Sequence, residues 1–144
     1  MERYVRLKYT GSYIKVNEGN FPDIYNMLVE VCDILHLKPE FYMQWDYTVN
    51  GFTTEIRLII VFTSGAVDLL TNDELLYVIG HEVGYIKSGH MLYHEMAEVI
   101  PIIGEIVGYT MGITNIVGWS LQFALLYWQR MSEFTADRAG LLAC

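Results

Sequence analysis

Apolar residues recur at helical spacing in two separate parts of this chain, with strand-like clusters between them. Ile24, Tyr25, Leu28, Val31, Cys32 and Leu35 fall on one helix face, which predicts a helix over residues 22–36. Asn20-Phe21-Pro22 marks its start, an N-cap type followed by a proline whose missing N–H is harmless there. Pro39 closes that region. Residues 41–45 and 57–62 are aromatic and β-branched and predict strands, with Asn50-Gly51 as a turn between them. Residues 4–16 read as one or two short strands broken at Gly11. Thr71 and Glu74 have the spacing of a capping box, and Leu75, Leu76, Ile79, Val83 and Ile86 form an apolar stripe behind it. A helix is therefore predicted from Thr71 through Ile86.

From Val99 to Trp128 the pattern changes. The segment is apolar apart from Glu105, Asn115, Gln122 and some Ser and Thr, and Ile106 to Trp128 carries no charge. That length can span a bilayer. Gly104, Gly108 and Gly112 share a helix face and permit close backbone approach. Asn115 and Gly118 suit a turn, so a buried helical hairpin is preferred over a span. Any membrane association is expected through residues 99–128.

Composition narrows the function classes. Hydrophobic residues make up 53% and charged ones 18%, which excludes a disordered chain and suits one core. The formal net charge is −8, and the nine Lys and Arg form no stripe, which argues against nucleic acid and against electrostatic binding to anionic lipid. Mean hydropathy is +0.26, raised by the last third of the chain. The N-terminus alternates charged and aromatic residues and reads as no signal peptide, so a cytoplasmic or membrane-associated location is expected. Cys32 and Cys144 lie on apolar helical patterns and are expected to be free thiols. The chain stops in mid-pattern at Gly140–Cys144, and a domain cut short at its C-terminus is expected.

The candidate chemistry centres on His81-Glu82-Val83-Gly84-Tyr85. With histidine at position 85 this would be HExxH, two zinc-binding imidazoles one helical turn apart with a glutamate that works on a metal-activated water. Taken alone, a helical His-Glu pair is ordinarily surface chemistry. A zinc site of this kind needs another ligand, and Glu133 and Asp137 share a helix face as i and i+4. One could hold the metal while the other holds an imidazole by its second nitrogen. His90 and His94 fall on the face of the helix opposite His81, and His36 reads as a helix C-terminal residue.

Several further strings complete a resemblance. Asn50-Gly51-Phe52-Thr53, Thr63 to Leu70, Asp73-Glu74-Leu75, HEVGYIKSGH and SEFTADRAG occur in one order over about residues 40–144. Together they resemble the HtpX-like and CAAX-prenyl-protease-like zinc metallopeptidases, a gluzincin group. The resemblance implies an α+β, zincin-like (gluzincin) domain, mostly helical with a small sheet, filling residues 1–144. It implies His81 as a zinc ligand, Glu82 as general base, Glu133 as the glutamate ligand and Asp137 as support for an imidazole. Strand 57–62 would then be the rim strand that pairs with an extended peptide. The implied activity is zinc-dependent endoproteolysis of a peptide or protein substrate.

Tyr85 departs from the pattern, standing where the family has its second zinc histidine. A phenol binds zinc only as phenolate, and its ordinary pKa near 10 must be lowered by the metal. The Tyr85 hydroxyl is expected at or near the metal position, bridging His81 and Glu133, with zinc binding weakened. The alternative is an inactive pseudopeptidase that serves as a protein- or membrane-binding scaffold. A small integral membrane protein is a third reading, resting wholly on residues 99–128.

Overall fold

The aromatic and β-branched segments assemble into a four-stranded sheet, and helices cover one of its faces. The computed structural model describes residues 11–54, 58–89, 96, 99 and 115–144. The expectations for residues 4–10, for Arg57, for His90 and His94, and for Gly104, Gly108 and Gly112 lie outside them.

Strand β1 (Ile14–Lys15) pairs antiparallel with β2 (Glu40–Gln44). β2 runs parallel to β4 (Ile59–Thr63), and β3 (Gly51–Thr54) pairs antiparallel on the far side of β4. The order is β1-β2-β4-β3. All five residues of β4 are buried, as befits a central strand. Phe41, Met43, Ile60 and Phe62 face the helices, while Tyr42, Ile59 and Val61 form a small cluster on the other face with Tyr13 and Phe52.

This topology corrects two expectations. The strand expected over 57–62 is not a rim strand: it runs Ile59–Thr63 between two partners, and β1 and β3 occupy the edges. Asn50-Gly51 is likewise no hairpin turn, because Gly51 opens β3, whose register with β4 runs from Gly51–Phe62 to Thr54–Ile59.

Helix α1 (Pro22–Leu35) matches its apolar stripe, with Ile24, Leu28, Val31, Cys32 and Leu35 buried. Asn20 does not cap it. The N-cap is Phe21, which makes no side-chain cap bond, and Asn20 instead closes the preceding loop through Asn17 N and Lys15 O. His36 ends the helix in the left-handed region at φ 53°. Both cysteines are free, and burial pushes the Cys32 thiol up to about 11, making it an unreactive packing group.

A short helix, α2 (Ser64–Leu69), follows β4 with Thr63 as its side-chain cap. Helix α3 (Asn72–Ser88) starts at the anticipated capping box: Thr71 Oγ1 accepts from Glu74 N and the Glu74 carboxylate accepts from Thr71 N. It stops at Gly89, which adopts φ 65°. Lys87 Nζ donates to Leu35 O at 2.8 Å and ties this end to α1.

Helix α4 (Asn115–Ala143) runs 29 residues. Glu133 lies on a different helix from His81, and Asn115 and Gly118 suit a turn by sequence. The structure instead places Asn115 at the start of one helix that continues through Gly118 to Glu133 and beyond. No helix among the described residues is long and apolar enough to cross a membrane. The result is a mixed architecture of helices with a small sheet, compatible with the α+β class.

Candidate metal centre

Helices α3 and α4 lie antiparallel, and small residues let them approach closely. A Cβ at Gly80 would come within 2.6 Å of Ala143 Cβ and 2.9 Å of Ala139 O. Gly84 meets Ala139 and Ala136 in the same way. This contact fixes which polar side chains face each other. Tyr77, His81 and Tyr85 succeed one another every four residues on α3, and Glu133 and Asp137 do so on α4.

The five side chains interleave. His81 Nδ1 lies 3.0 Å from Asp137 Oδ1. A carboxylate only accepts, so Nδ1 carries the proton, and in the neutral ring Nε2 has the lone pair. Nε2 points to Glu133, 3.7 Å from its Oε2. Tyr85 donates a short hydrogen bond to Glu133 Oε1, and its hydroxyl is 3.3 Å from Ser132 Oγ. The Tyr85 ring rests against the His81 ring, with centroids 5.4 Å apart. At the other end Tyr77 donates to Asp137 Oδ1 at 2.8 Å.

The electrostatics follow from this crowding. Desolvation, with the Glu133 charge second, pushes the Glu82 carboxyl up to about 8. Tyr85 is held well above the ordinary phenol value by desolvation first and by its bond to Glu133 next, against a smaller opposing effect of Ser132. Tyr77 is raised chiefly because its neutral hydroxyl donates to Asp137.

His81, Tyr85, Glu133 and Asp137, all singled out from the sequence, gather at one helix–helix seam, and the Glu133 charge acts on Glu82 nearby. Tyr77 and Ser132 join them and were not foreseen. For Tyr77 a signal existed, since it lies one turn before His81 on the same stripe. For Ser132 the sequence offers none beyond its place next to Glu133. Among the described residues, no three His, Cys, Asp or Glu side chains group so as to hold a metal ion. The oxygen that meets the Glu133 carboxylate, from a ring packed on His81, is the Tyr85 phenol.

Comparison with known proteins bears on the whole chain. Residues 17–144 match peptidase family M48. The chain is 31% identical to the plastoglobule-localized metallopeptidase 48 of Arabidopsis thaliana chloroplasts, over 98% of this chain and 41% of the relative. It is 28% identical to protease HtpX homolog 2 of Methanosarcina acetivorans, over 92% of this chain and 53% of that protein. The corresponding protein of Methanosarcina mazei is 27% identical, over 91% and 53%. The chain thus spans about half the length, or less, of these relatives. No solved structure matches it.

Proposed function

The chain belongs to peptidase family M48, and from that premise we propose that it is a zinc-dependent endopeptidase of the HtpX-like type on a zincin-like domain. The observation that carries the reading is the His81–Glu133 pair. An imidazole lone pair and a carboxylate oxygen 3.7 Å apart suit one ion at about 2.0–2.2 Å from each. Asp137 on the other imidazole nitrogen supplies the carboxylate–histidine support that such ligands ordinarily have.

The donor set fits zinc at these two positions and less well at the third. His81 and Glu133 would hold the ion, and Tyr85 would either complete the set as phenolate or swing aside. When bound, zinc supplies a positive charge that polarises a carbonyl and acidifies water. The chain's own residues supply the rest. Glu82, next to His81 on α3, would take a proton at this centre and return it. Asp137 keeps the His81 ring in one tautomer. An extended peptide would add to the rim strand β3, which adjoins the helix carrying the site: Gly51 lies against Val78, one turn before Glu82.

Hydrolysis of casein at pH 7–8 with excess zinc tests the reading. Activity should vanish with a chelator and fall about 100-fold or more in Glu82→Gln. Activity indifferent to both changes would remove Glu82 and the metal from the mechanism. No hydrolysis by the wild type or by Tyr85→His at saturating zinc would leave the scaffold reading in its place.

A further inference from the structure

We propose that Tyr77 is a positioning residue that fixes His81 through Asp137. The inference deepens the zinc-peptidase reading and rests on it for the use His81 is put to. Tyr77 lies one helical turn before His81 on α3, and its hydroxyl and the His81 Nδ1–H converge on the same oxygen, Asp137 Oδ1, at 2.8 and 3.0 Å. Asp137 is half-exposed on α4, where a carboxylate samples several rotamers in water. One donor leaves it free to turn about that bond. Two donors from adjacent turns of the facing helix define where its oxygen sits.

The backbone is built to deliver that hydroxyl. Gly140 lies against the Tyr77 ring, and a Cβ there would come 2.9 Å from two ring carbons and from Tyr77 O. Any side chain at position 140 would push the ring, and with it the hydroxyl, away from Asp137. The consequence reaches the far side of the imidazole. With Asp137 Oδ1 fixed, the proton stays on Nδ1 and the Nε2 lone pair stays aimed toward Glu133. Tyr77 touches neither Glu133 nor the gap between the pair, so its action is on orientation.

Imidazole ¹⁵N NMR of the chelator-treated protein at pH 8 reads the tautomer directly, the His81 signals being identified among four histidines by their loss in His81→Gln. Wild type should show a pyrrole-type Nδ1 and a pyridine-type Nε2. Tyr77→Phe keeps the ring against Gly140 but should give averaged signals for the two nitrogens and bind zinc about tenfold more weakly. Tyr77→Leu should shift the tautomer equally and lower the melting temperature as well, separating orientation from packing. An unchanged His81 tautomer in folded Tyr77→Phe, with zinc affinity equal to wild type, overturns the inference and leaves the peptidase reading standing. A shifted tautomer in a protein that binds no zinc in any version supports the positioning and sinks the metal reading instead.

Discussion

Glu82 has its carboxyl withdrawn from water and faces the charge of Glu133, and this combination has a pH signature of its own. Its folded-state pKa is raised to about 8, against an ordinary value of 4.5. Below about pH 4.5 the group is neutral whether the chain is folded or not. Between there and about pH 8 the unfolded chain gives up a proton that the folded chain retains. The ion-free fold therefore loses stability as pH rises through this window, by something on the order of 2–4 kcal/mol. Glu82→Gln should flatten that slope and melt higher than wild type at pH 9 in chelator. Parallel melting profiles for the two proteins from pH 5 to 9 would show that Glu82 is solvated in the native state. The spacings made His81 with Tyr85, and Glu133 with Asp137, legible as pairs on helix faces, while the meeting of the two faces was implied by the resemblance and not by spacing. Tyr77 lies one turn before His81, but only the facing helix reveals what its hydroxyl meets.

The elements that matter most are α3 and α4, held together by glycine and alanine rather than by large side chains. Gly80→Ala tests how closely the site depends on that contact. In a free helix the change would stabilise by about 1 kcal/mol. Here the new methyl would meet Ala143 Cβ at 2.6 Å and the Ala139 carbonyl at 2.9 Å, so the helices must part. Overpacking of this kind costs about 1–3 kcal/mol. A lower melting temperature is expected, together with weaker zinc binding as His81 and Glu133 separate. A higher melting temperature with unchanged zinc binding would mean that the seam yields without disturbing the site. Periodicity located α1 and the start of α3 because each has a full stripe and a boundary signal. It passed over β3, whose four residues carry too little pattern to stand apart from a turn. It also placed a break at Gly118, which the structure carries inside α4.

For the whole molecule, the two-helix seam sits beside a sheet with β3 at one edge, and family membership gives the arrangement its meaning. The rim was misplaced from sequence because strand order is a long-range property: nothing in residues 57–62 says that β3 will fold back to flank them. On the proposed reading, His81 and Glu133 form a metal-holding pair whose affinity the phenol at position 85 limits. The Tyr85 hydroxyl donates to the same carboxylate that would bind the ion, so zinc must displace or deprotonate it. Since removal of mere supporting residues weakens zinc by about 10–100-fold, absence of an imidazole ligand should cost at least that much. Calorimetric titration of zinc into wild type and Tyr85→His, each after chelator treatment, tests this most directly. One site is expected in both, at least about 100-fold tighter in Tyr85→His and lost from either when Glu133 is changed to Ala. Equal affinities in wild type and Tyr85→His, or tight binding that survives Glu133→Ala, would contradict that reading.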